Sequence, residues 1–581
     1  MSYREFHFLE PTPSLVVGLD VGRAYSGYCA WVRSADSGER GPTGTFCLPS
    51  EGNFRHDKVP SCLLLTKSKE QVAFGNKAKR MHAQMAQEEK ARHLFVENLN
   101  DFPYNNQQFC CRSSSIIASQ DKHINAFEVI KAVLMNLKNN ALETVKHKFP
   151  AIADTDSQLW VVSLPLNTSD AVKYAVVEAA VQIGIFRDGL RLVSHEQSCL
   201  AYCQHVLQLS SPRALLGRAV VVDAGGVDTH ISVVDSREGL QLQHIETVSL
   251  RNIGAASINN EISSLIDSLF LGKIRNIVEE SNPLALYKIY KGIEKVTTKL
   301  DGSSRRVYIG IYLENEVLEV MNGKQIFLEC INKDVTYKRN ILYDDKQQIL
   351  YLHRQLVESR YQPTLSKIFE TLHVMMNKHN THDMKVFIVG GYMGPHSIRS
   401  VLRADLHHVD AFIPDRPWMF AAQGAALVGY QGLGVQERIT RFSYGIPFAT
   451  PYHEKHPKER RKFYDGEEWC ENSFLKLIER GHVVRVGDTF VLKVFSTAID
   501  PELHHSDICT PLVLSRMRNP LYCTKEQGCS MLGRVTWRPP PGGWPKLWRG
   551  EIELHVRQYD FVFTIRNTTT GSEQRAIINF A

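Results

Sequence analysis

Val-Val-Asp-Ala-Gly-Gly-Val-Asp, at positions 221–228, begins at the end of a run rich in β-branched residues, 219–222, and a second such run follows at 231–234. This pattern predicts two strands joined by a tight turn, because glycine and aspartate are common turn residues. Backbone N–H groups in such a turn can form an anion site, and glycine lets a phosphoryl oxygen approach closely. The carboxylate of Asp223 can hold Mg²⁺ through water. An ordinary structural turn is the alternative, since the same residues build hairpins that bind nothing.

Two more glycine turns make a binding role more specific. One lies near the start of the chain, where Asp20 and Gly22 separate strand patterns at 15–19 and 25–28. The other, Gly390-Gly391, follows the apolar run 386–389 and precedes a helical pattern at 398–402. Three such elements in this order predict two similar lobes, each contributing a loop to one cleft.

Length and composition indicate a globular protein of several domains. The chain has 581 residues, a net charge of +6, 43% hydrophobic residues and 22% charged residues. This charge is too small and too scattered to indicate a nucleic-acid-binding protein, and the densest basic run, 453–462, is interpreted as a solvated loop. No apolar run approaches the roughly 20 residues of a membrane helix, and the first 13 residues lack a signal-peptide pattern. We therefore expect a cytoplasmic protein without a membrane span.

The twelve cysteines show no metal-ligand spacing. We expect them to be reduced thiols in a reducing compartment rather than a zinc site.

The order of predicted elements divides the chain into three domains. Strands are expected at 45–48 and 61–65 in the first sheet, and a helix begins after the capping pair Asn125 and Glu128. Another helix is expected at 287–300, and a small-residue helix suited to close packing at 420–427. Beyond about residue 436, alternating apolar residues predict an antiparallel sandwich-like module. The expected domains are 1–216, 217–435 and 436–581.

The three glycine turns, together with Leu164-Pro165 and Glu196, resemble the actin-like ATPase superfamily. The similarity is greater to the seventy-kilodalton heat-shock protein family, and within it to the divergent 12A/12B branch. Asp20-Val21-Gly22 with Ser26-Gly27-Tyr28 is similar to the Asp-Phe-Gly-Thr-Thr-Ser-Ser-Gly-Tyr of that branch. Cys62-Leu63-Leu64-Leu65-Thr66 and 465–470 are similar to further segments of it.

The resemblance implies an α/β fold: a two-lobed, actin-like (ribonuclease-H-like) ATPase domain followed by a C-terminal β-sandwich-like domain that binds a protein or peptide partner. ATP and Mg²⁺ are the implied cofactors. Asp20 and Asp223 are the implied metal residues, and Asp20, Glu196 and Asp228 the implied catalytic ones. The implied nucleotide-binding residues are Gly22, Arg23, Ala24, Tyr25, Gly225, Gly226, Glu294, Gly390 and Gly391.

Several positions depart from the family pattern. Arg23 and Ala24 replace paired threonines, and the arginine side chain can either pair with a phosphate or fill the site. The second turn is two residues shorter than that of the family. No lysine stands at 97–100, where the branch carries one that serves the attacking water, and the arginine that stacks on the base is missing after Glu294. Removing one preorganised group can cost about 10²- to 10³-fold in rate, so we expect little hydrolysis.

Three functions are compatible with this pattern. The first is an atypical heat-shock-type ATP-binding protein with a chaperone-like or partner-binding role and weak or lost hydrolysis. The second is a pseudo-ATPase scaffold that binds no nucleotide. The third is a small-molecule kinase of the same superfamily, although nothing after the first turn indicates a catalytic base for it. As an enzyme, the protein is at most a weak ATPase, and its oligomeric state is left open.

Overall fold

A computed structural model gives the structure of most of the chain. The described residues are 13–32, 44–47, 58–97, 99, 113–119, 122–150, 158–208, 215–237, 240–272, 274, 278, 282–298, 300, 308–313, 317–318, 324–379, 384–407, 409–433, 437–464, 466–496, 505–539, 542–544, 548–557, 560–568 and 571–579. They belong to two compact units, Met1–Gly434 and Val435–Ala581, which we call the first and second unit.

The first unit mixes strands and helices. Its strands are β1 (Leu15–Asp20), β2 (Tyr25–Val32), β3 (Gly44–Cys47), β4 (Val59–Pro60), β5 (Leu63–Thr66), β6 (Gln71–Phe74), β7 (His93–Val96), β8 (Ser115–Ile117), β9 (His123–Asn125), β10 (Gln158–Leu164), β11 (Leu190–Ser194), β12 (Gly217–Ala224), β13 (Thr229–Arg237), β14 (Gln241–Leu250), β15 (Tyr308–Tyr312), β16 (Ile341–Asp344), β17 (Ile349–His353), β18 (Lys385–Val389) and β19 (Ala411–Phe412). Its helices are α1 (Gly75–Gln84), α2 (Gln87–Lys90), α3 (Ala126–Lys148), α4 (Asp170–Gln182), α5 (His195–Val206), α6 (Ala255–Leu269), α7 (Pro283–Thr298), α8 (Lys324–Lys333), α9 (Val335–Asn340), α10 (Arg354–Ser359), α11 (Gln362–Lys378), α12 (His396–Asp405) and α13 (Phe420–Tyr430).

Two sheets of the first unit follow the same plan. Sheet A has the order β11-β10-β1-β2-β3, with β4 also paired to β2, and sheet B has the order β14-β13-β12-β18-β19. In sheet A, β1 lies parallel to β10 and antiparallel to β2. In sheet B, β12 lies parallel to β18 and antiparallel to β13. The predicted hairpins around Gly22 and Gly225 are therefore confirmed, and each begins from a central strand of its sheet.

One predicted strand lies in a different sheet. The segment 61–65 was expected in sheet A, but β5 belongs to a separate sheet with the order β6-β5-β7. The chain turns between β4 and β5, where the Ser61 N–H donates to the Ala24 carbonyl at 2.8 Å and the Cys62 N–H donates to the Pro60 carbonyl at 2.8 Å. Of the segment 59–66, only the short β4 therefore pairs with β2.

Helix starts follow from local capping chemistry. The Asn125 side chain accepts hydrogen bonds from the N–H groups of Phe127 and Glu128, which confirms the predicted start of α3. Helix α7 begins at Pro283, about one turn before the predicted start at 287. Proline suits the first turn of a helix because the N–H it lacks has no intrahelical acceptor there.

Helix α13 packs unusually close to its neighbours, as its small residues predict. A Cβ added to Gly424 would lie 1.9 Å from the Ser198 carbonyl oxygen on α5. A Cβ added to Gly18 on β1 would lie 2.1 Å from the Ala422 carbonyl oxygen. These backbone contacts hold α5, and with it the first residues of that helix, in a fixed position against sheet A.

The second unit is mostly β-strand in its described part, with one short 3-10 helix at Lys458–Arg460. Its strands are β20 (Glu437–Ile439), β21 (Ser443–Pro451), β22 (Arg461–Tyr464), β23 (Glu467–Ile478), β24 (Val483–Arg485), β25 (Thr489–Ser496), β26 (Ile508–Ser515), β27 (Cys529–Trp537), β28 (Trp548–Val556), β29 (Asp560–Asn567) and β30 (Glu573–Asn579). The sheet orders are β22-β23-β21-β26-β27, β25-β28-β29-β30 and β20-β24. One apolar cluster contains residues of the two larger sheets, including Ile446, Leu512 and Phe563.

Across the described residues of both units, none of the helices is both long and apolar enough to cross a bilayer.

Candidate functional site

Turn 1, defined as residues 20–25, connects β1 to β2. Asp20 ends β1, and its side chain is only 4% exposed. A Cβ at Gly22 would lie 2.2 Å from the Tyr25 carbonyl oxygen, so the turn needs glycine at this position. The Ser61 hydroxyl donates to the Gly22 carbonyl at 2.7 Å, which fixes turn 1 to the segment that carries β4.

Turn 2, defined as residues 223–229, connects β12 to β13. The Gly225 N–H donates to the Asp228 carbonyl at 2.9 Å and closes the turn. The Gly225 and Gly226 carbonyls accept N–H groups of Ala255 and Ala256 at 3.2 and 2.8 Å. These N–H groups at the start of α6 are therefore already in use within the protein.

Turn 3, defined as residues 389–394, follows β18 and packs on the end of β12. Gly390 has φ 104° and ψ 163°, a backbone conformation open essentially to glycine alone. A Cβ there would lie 2.1 Å from the Ala224 carbonyl oxygen. A Cβ on Gly391 would meet no atom within 4 Å. The two glycines thus differ: Gly390 is required for packing, and Gly391 borders open space.

Turns 1 and 2 touch each other directly. The Arg23 guanidinium forms an ion pair with Asp228, whose other carboxylate oxygen accepts the Asn252 N–H at 2.8 Å. A Cβ on Gly226 would lie 2.6 Å from the Ala24 Cβ, so the backbone of turn 2 approaches turn 1 closely. From the sequence, Arg23 was expected either to pair with a phosphate or to fill the site. Its pairing with Asp228 was not expected.

Asp223 is paired with a histidine at the start of α5. His195 Nδ1 lies 3.0 Å from Asp223 Oδ2, and both side chains are largely buried. Burial would lower the pKa of His195, but the hydrogen bond and charge of Asp223 outweigh it, so the pKa of His195 is raised. Burial would raise the pKa of Asp223, and His195 reverses that effect as well, so this pKa is lowered. Both shifts favour an ion pair.

Glu196, the next residue, is a buried carboxyl group. Its Oε1 accepts the Ser232 hydroxyl at 2.8 Å, while its Oε2 and the Nε2 of His195 are buried atoms without a hydrogen-bond partner. Burial is the main cause that raises the pKa of Glu196. A carboxyl group with a raised pKa is less suited to holding a cation than an ionised one.

Asp20 is paired with Lys58, a residue that the sequence did not single out. The Lys58 ammonium forms an ion pair with Asp20 Oδ2, and the two side chains are 15% and 4% exposed. Lys58 also helps to keep the pKa of Asp223 low, after the larger effects of His195 and His230. Three carboxylates predicted for the site, Asp20, Asp223 and Asp228, therefore each have a basic partner from the chain itself.

Glu294, predicted to face the nucleotide, lies in a second group of charges. Its carboxylate is 3.2 Å from Lys291 and 3.9 Å from Lys79, and it hydrogen-bonds to Tyr25. Burial, followed by the charge of Glu294, raises the pKa of Tyr25. Lys79 also pairs with Glu97 at 3.2 Å. Tyr25 links this group to turn 1, since it is the last residue of that turn.

The segment expected to carry a lysine is only partly described. Glu97 and Leu99 are described, and the Leu99 N–H donates to the Arg23 carbonyl at 2.6 Å. Asn98 and Asn100 lie outside the described residues.

The structure thus brings together the predicted residues of turns 1, 2 and 3 with Glu196, and it places Glu294 beside Tyr25. Sequence reasoning missed Lys58, His195 and Lys79 as members of the site. His195 carried a usable signal, because it directly precedes the predicted Glu196. Lys58 carried none, since it lies 38 residues from its partner.

Comparison with known proteins identifies similar chains. No protein-family model matches this chain. It is 21% identical over 543 residues to human "Heat shock 70 kDa protein 12B", covering 82% of this chain and 77% of that protein. It is 20% identical over 545 residues to "Heat shock 70 kDa protein 12A" of human and of mouse, covering 82% of this chain and 78% of each relative.

Proposed function

We propose that this chain, a divergent member of the heat shock 70 kDa protein family, is a non-hydrolysing relative that binds adenine nucleotide weakly and acts by binding a protein partner. The segments 1–216 and 217–435 would supply two actin-like lobes, with α13 of the second segment packed on sheet A of the first. The shared plan of sheets A and B supports this division, since the same order and sense of strands occur twice.

The observation that carries the proposal is the connection between turns 1 and 2. In the protein family that this chain resembles, these two turns hold the phosphates of ATP. Here Arg23 pairs with Asp228 across them, and Ala24 lies against Gly226. A phosphate would have to compete with this internal ion pair. A hydrogen bond to a charged group contributes about 1.5–3 kcal/mol, which corresponds to roughly 10- to 150-fold in affinity.

Loss of hydrolysis follows from the same residues. Phosphoryl transfer in this superfamily depends on positioning and on neutralising charge at the phosphates. The hydroxyl groups of the paired threonines are absent at Arg23 and Ala24, so two potential hydrogen-bond donors to the phosphates are missing. The segment 97–100 also has no lysine to serve the attacking water.

The test combines titration calorimetry with Mg-ATP and a phosphate-release assay on the full chain. We expect weak binding and no release above background for the natural protein. Asp228→Asn should bind ATP more tightly, by about tenfold or more, because it removes the carboxylate that competes with phosphate for Arg23. Asp235→Asn, which changes a partly exposed aspartate of β13, is the matched control and should leave binding unchanged. Rapid release abolished by Asp20→Asn would refute the proposal, and absence of binding in every variant would favour a scaffold without nucleotide.

The partner would bind to the second unit. An open groove of about 630 Å³ lies at the edge strand β25 and is lined by residues that include Lys493, Phe495 and Glu551. Phe495 is 60% exposed on this strand. Extended peptides bind edge strands by adding a strand, with side-chain grooves giving specificity. The feature supports a peptide-like partner.

A peptide array probed with the full chain tests this role. Phe495→Ser should reduce capture of the selected peptides. Phe463→Ser is the control, because Phe463 is also exposed, at 63%, on β22 at the edge of the other large sheet. Equal loss in both variants would count against the β25 groove.

Nine cysteines in the described part of the chain are free thiols, which supports the proposal that the protein works in a reducing compartment.

A further inference from the structure

The two carboxylates that the resemblance assigns to Mg²⁺ are already paired with basic side chains of the chain itself. The Lys58 ammonium pairs with Asp20, and His195 Nδ1 lies 3.0 Å from Asp223 Oδ2. Among the described residues, no group of three histidine, cysteine, aspartate or glutamate side chains is arranged to hold a metal ion. Mg²⁺ requires oxygen ligands in near-octahedral geometry, and it keeps several waters. The residues present do not fit that ion.

The position of Lys58 is set by the backbone around it. The residue precedes β4, in which Val59 and Pro60 pair with Ser26 and Tyr25 of β2. Just after β4, the Ser61 N–H donates to the Ala24 carbonyl at 2.8 Å. The Ser61 hydroxyl also donates to the Gly22 carbonyl at 2.7 Å and lies 2.7 Å from the Ser26 hydroxyl. The segment that carries Lys58 is therefore held on turn 1, beside Asp20.

The burial of the pair adds to this argument. The Asp20 side chain is 4% exposed, and the Lys58 side chain is 15% exposed, so water screens their attraction only weakly. A divalent cation next to Asp20 would meet the like charge of Lys58 at short range, and like charges in a partly buried site repel strongly.

We propose that Lys58 substitutes for the divalent cation at Asp20, so that this site takes its anionic ligand without Mg²⁺. The identity of that ligand as a nucleotide rests on the proposed function, but the substitution of the metal rests on the residues described above.

The test measures how Mg²⁺ changes the melting temperature of the full chain, with EDTA as the reference and without nucleotide. We expect no effect of millimolar Mg²⁺ on the natural protein or on Lys58→Arg, which keeps the positive charge. Lys58→Ala leaves Asp20 buried without its partner, so it should melt lower in EDTA and regain at least half of that loss in Mg²⁺. Lys67→Ala, in an exposed turn of the same region, is the matched control and should not respond to Mg²⁺.

Two results would overturn the inference: a Mg²⁺ stabilisation of the natural protein equal to that of Lys58→Ala, or no Mg²⁺ response in folded Lys58→Ala. If Lys58→Ala does not fold, the inference is tested instead by measuring Mn²⁺ binding to the natural protein and to Asp20→Asn with electron paramagnetic resonance. Equal Mn²⁺ binding by both supports the inference, and binding that Asp20→Asn abolishes overturns it. Because no nucleotide is added, a failure of nucleotide binding is measured separately and does not alter these readouts.

Discussion

Replacing Gly390 with alanine should destabilise the first unit, whereas the same change at Gly391 should not. The two glycines are neighbours in turn 3, and both were predicted to face the nucleotide. Gly390 has φ 104° and ψ 163°, and its added Cβ would lie 2.1 Å from the Ala224 carbonyl oxygen. A Cβ on Gly391 would meet no atom within 4 Å. The pair therefore separates backbone strain and packing from the general effect of removing a glycine.

The magnitude follows from three contributions to the free energy of unfolding. A side chain in this glycine-only backbone region costs about 1–3 kcal/mol. Forcing an extra carbon into packed backbone costs about 1–3 kcal/mol more. The lower entropy of alanine in the unfolded chain returns about 0.4–1 kcal/mol. We expect Gly390→Ala to lose roughly 3–5 kcal/mol, because the contact is with backbone. Gly391→Ala should be neutral or stabilised by about 0.4–1 kcal/mol.

Urea unfolding followed by the helical circular dichroism signal measures this difference. All the described α-helices lie in the first unit, so that signal reports on the first unit. Gly390→Ala should shift the midpoint to clearly lower urea without a change in slope. Equal midpoints for the two variants would show that turn 3 does not pack on the end of β12 as described.

Two further predictions concern residues outside the three turns. Burial, followed by the charge of Lys90, lowers the pKa of His82 to about 4, and its ring stacks on Phe95 at 4.1 Å. The stability that the neutral His82 ring contributes should therefore be fully present above about pH 6.5. It should fall as the pH drops towards 4, by on the order of 1–2 kcal/mol after solvent screening. His82→Gln should flatten this pH dependence, and an acid unfolding profile equal to that of the natural protein would contradict the assignment. Tyr28→Phe removes hydrogen bonds to Thr144 Oγ1 at 2.6 Å and to the Asn140 carbonyl at 3.1 Å, so it should cost about 1–2 kcal/mol in urea unfolding. Tyr351→Phe, which loses one exposed bond to Gln347, is its control and should change stability by less than about 0.5 kcal/mol.

Local patterns in the sequence predicted the local structure of this protein well. The hairpin after β12 follows from β-branched runs around a Gly-Gly turn, and its register pairs Asp223 with His230. The start of α3 follows from Asn125, whose side chain can reach only the N–H groups that come next. Each of these features is decided by residues a few positions apart, so the local sequence is sufficient to predict it.

The charges of the site depend on distant residues, and this is why the sequence did not reveal them. Arg23 and Asp228 are 205 positions apart, and His195 and Asp223 are 28 apart. Asp20 and Asp223 were interpreted as metal ligands, because carboxylates beside glycine turns suit Mg²⁺. Whether a carboxylate meets a metal or a lysine is decided by the tertiary structure, which here places Lys58 next to Asp20.

The ion pair of Arg23 and Asp228 is formed within the chain, whereas a bound phosphate is a ligand. A phosphate must be supplied by the surroundings, and the occupancy of any such ligand depends on its concentration. The arginine and the aspartate belong to one folded chain, so neither partner can diffuse away from the other. The link between turns 1 and 2 is therefore a property of the folded chain itself and requires no bound ligand.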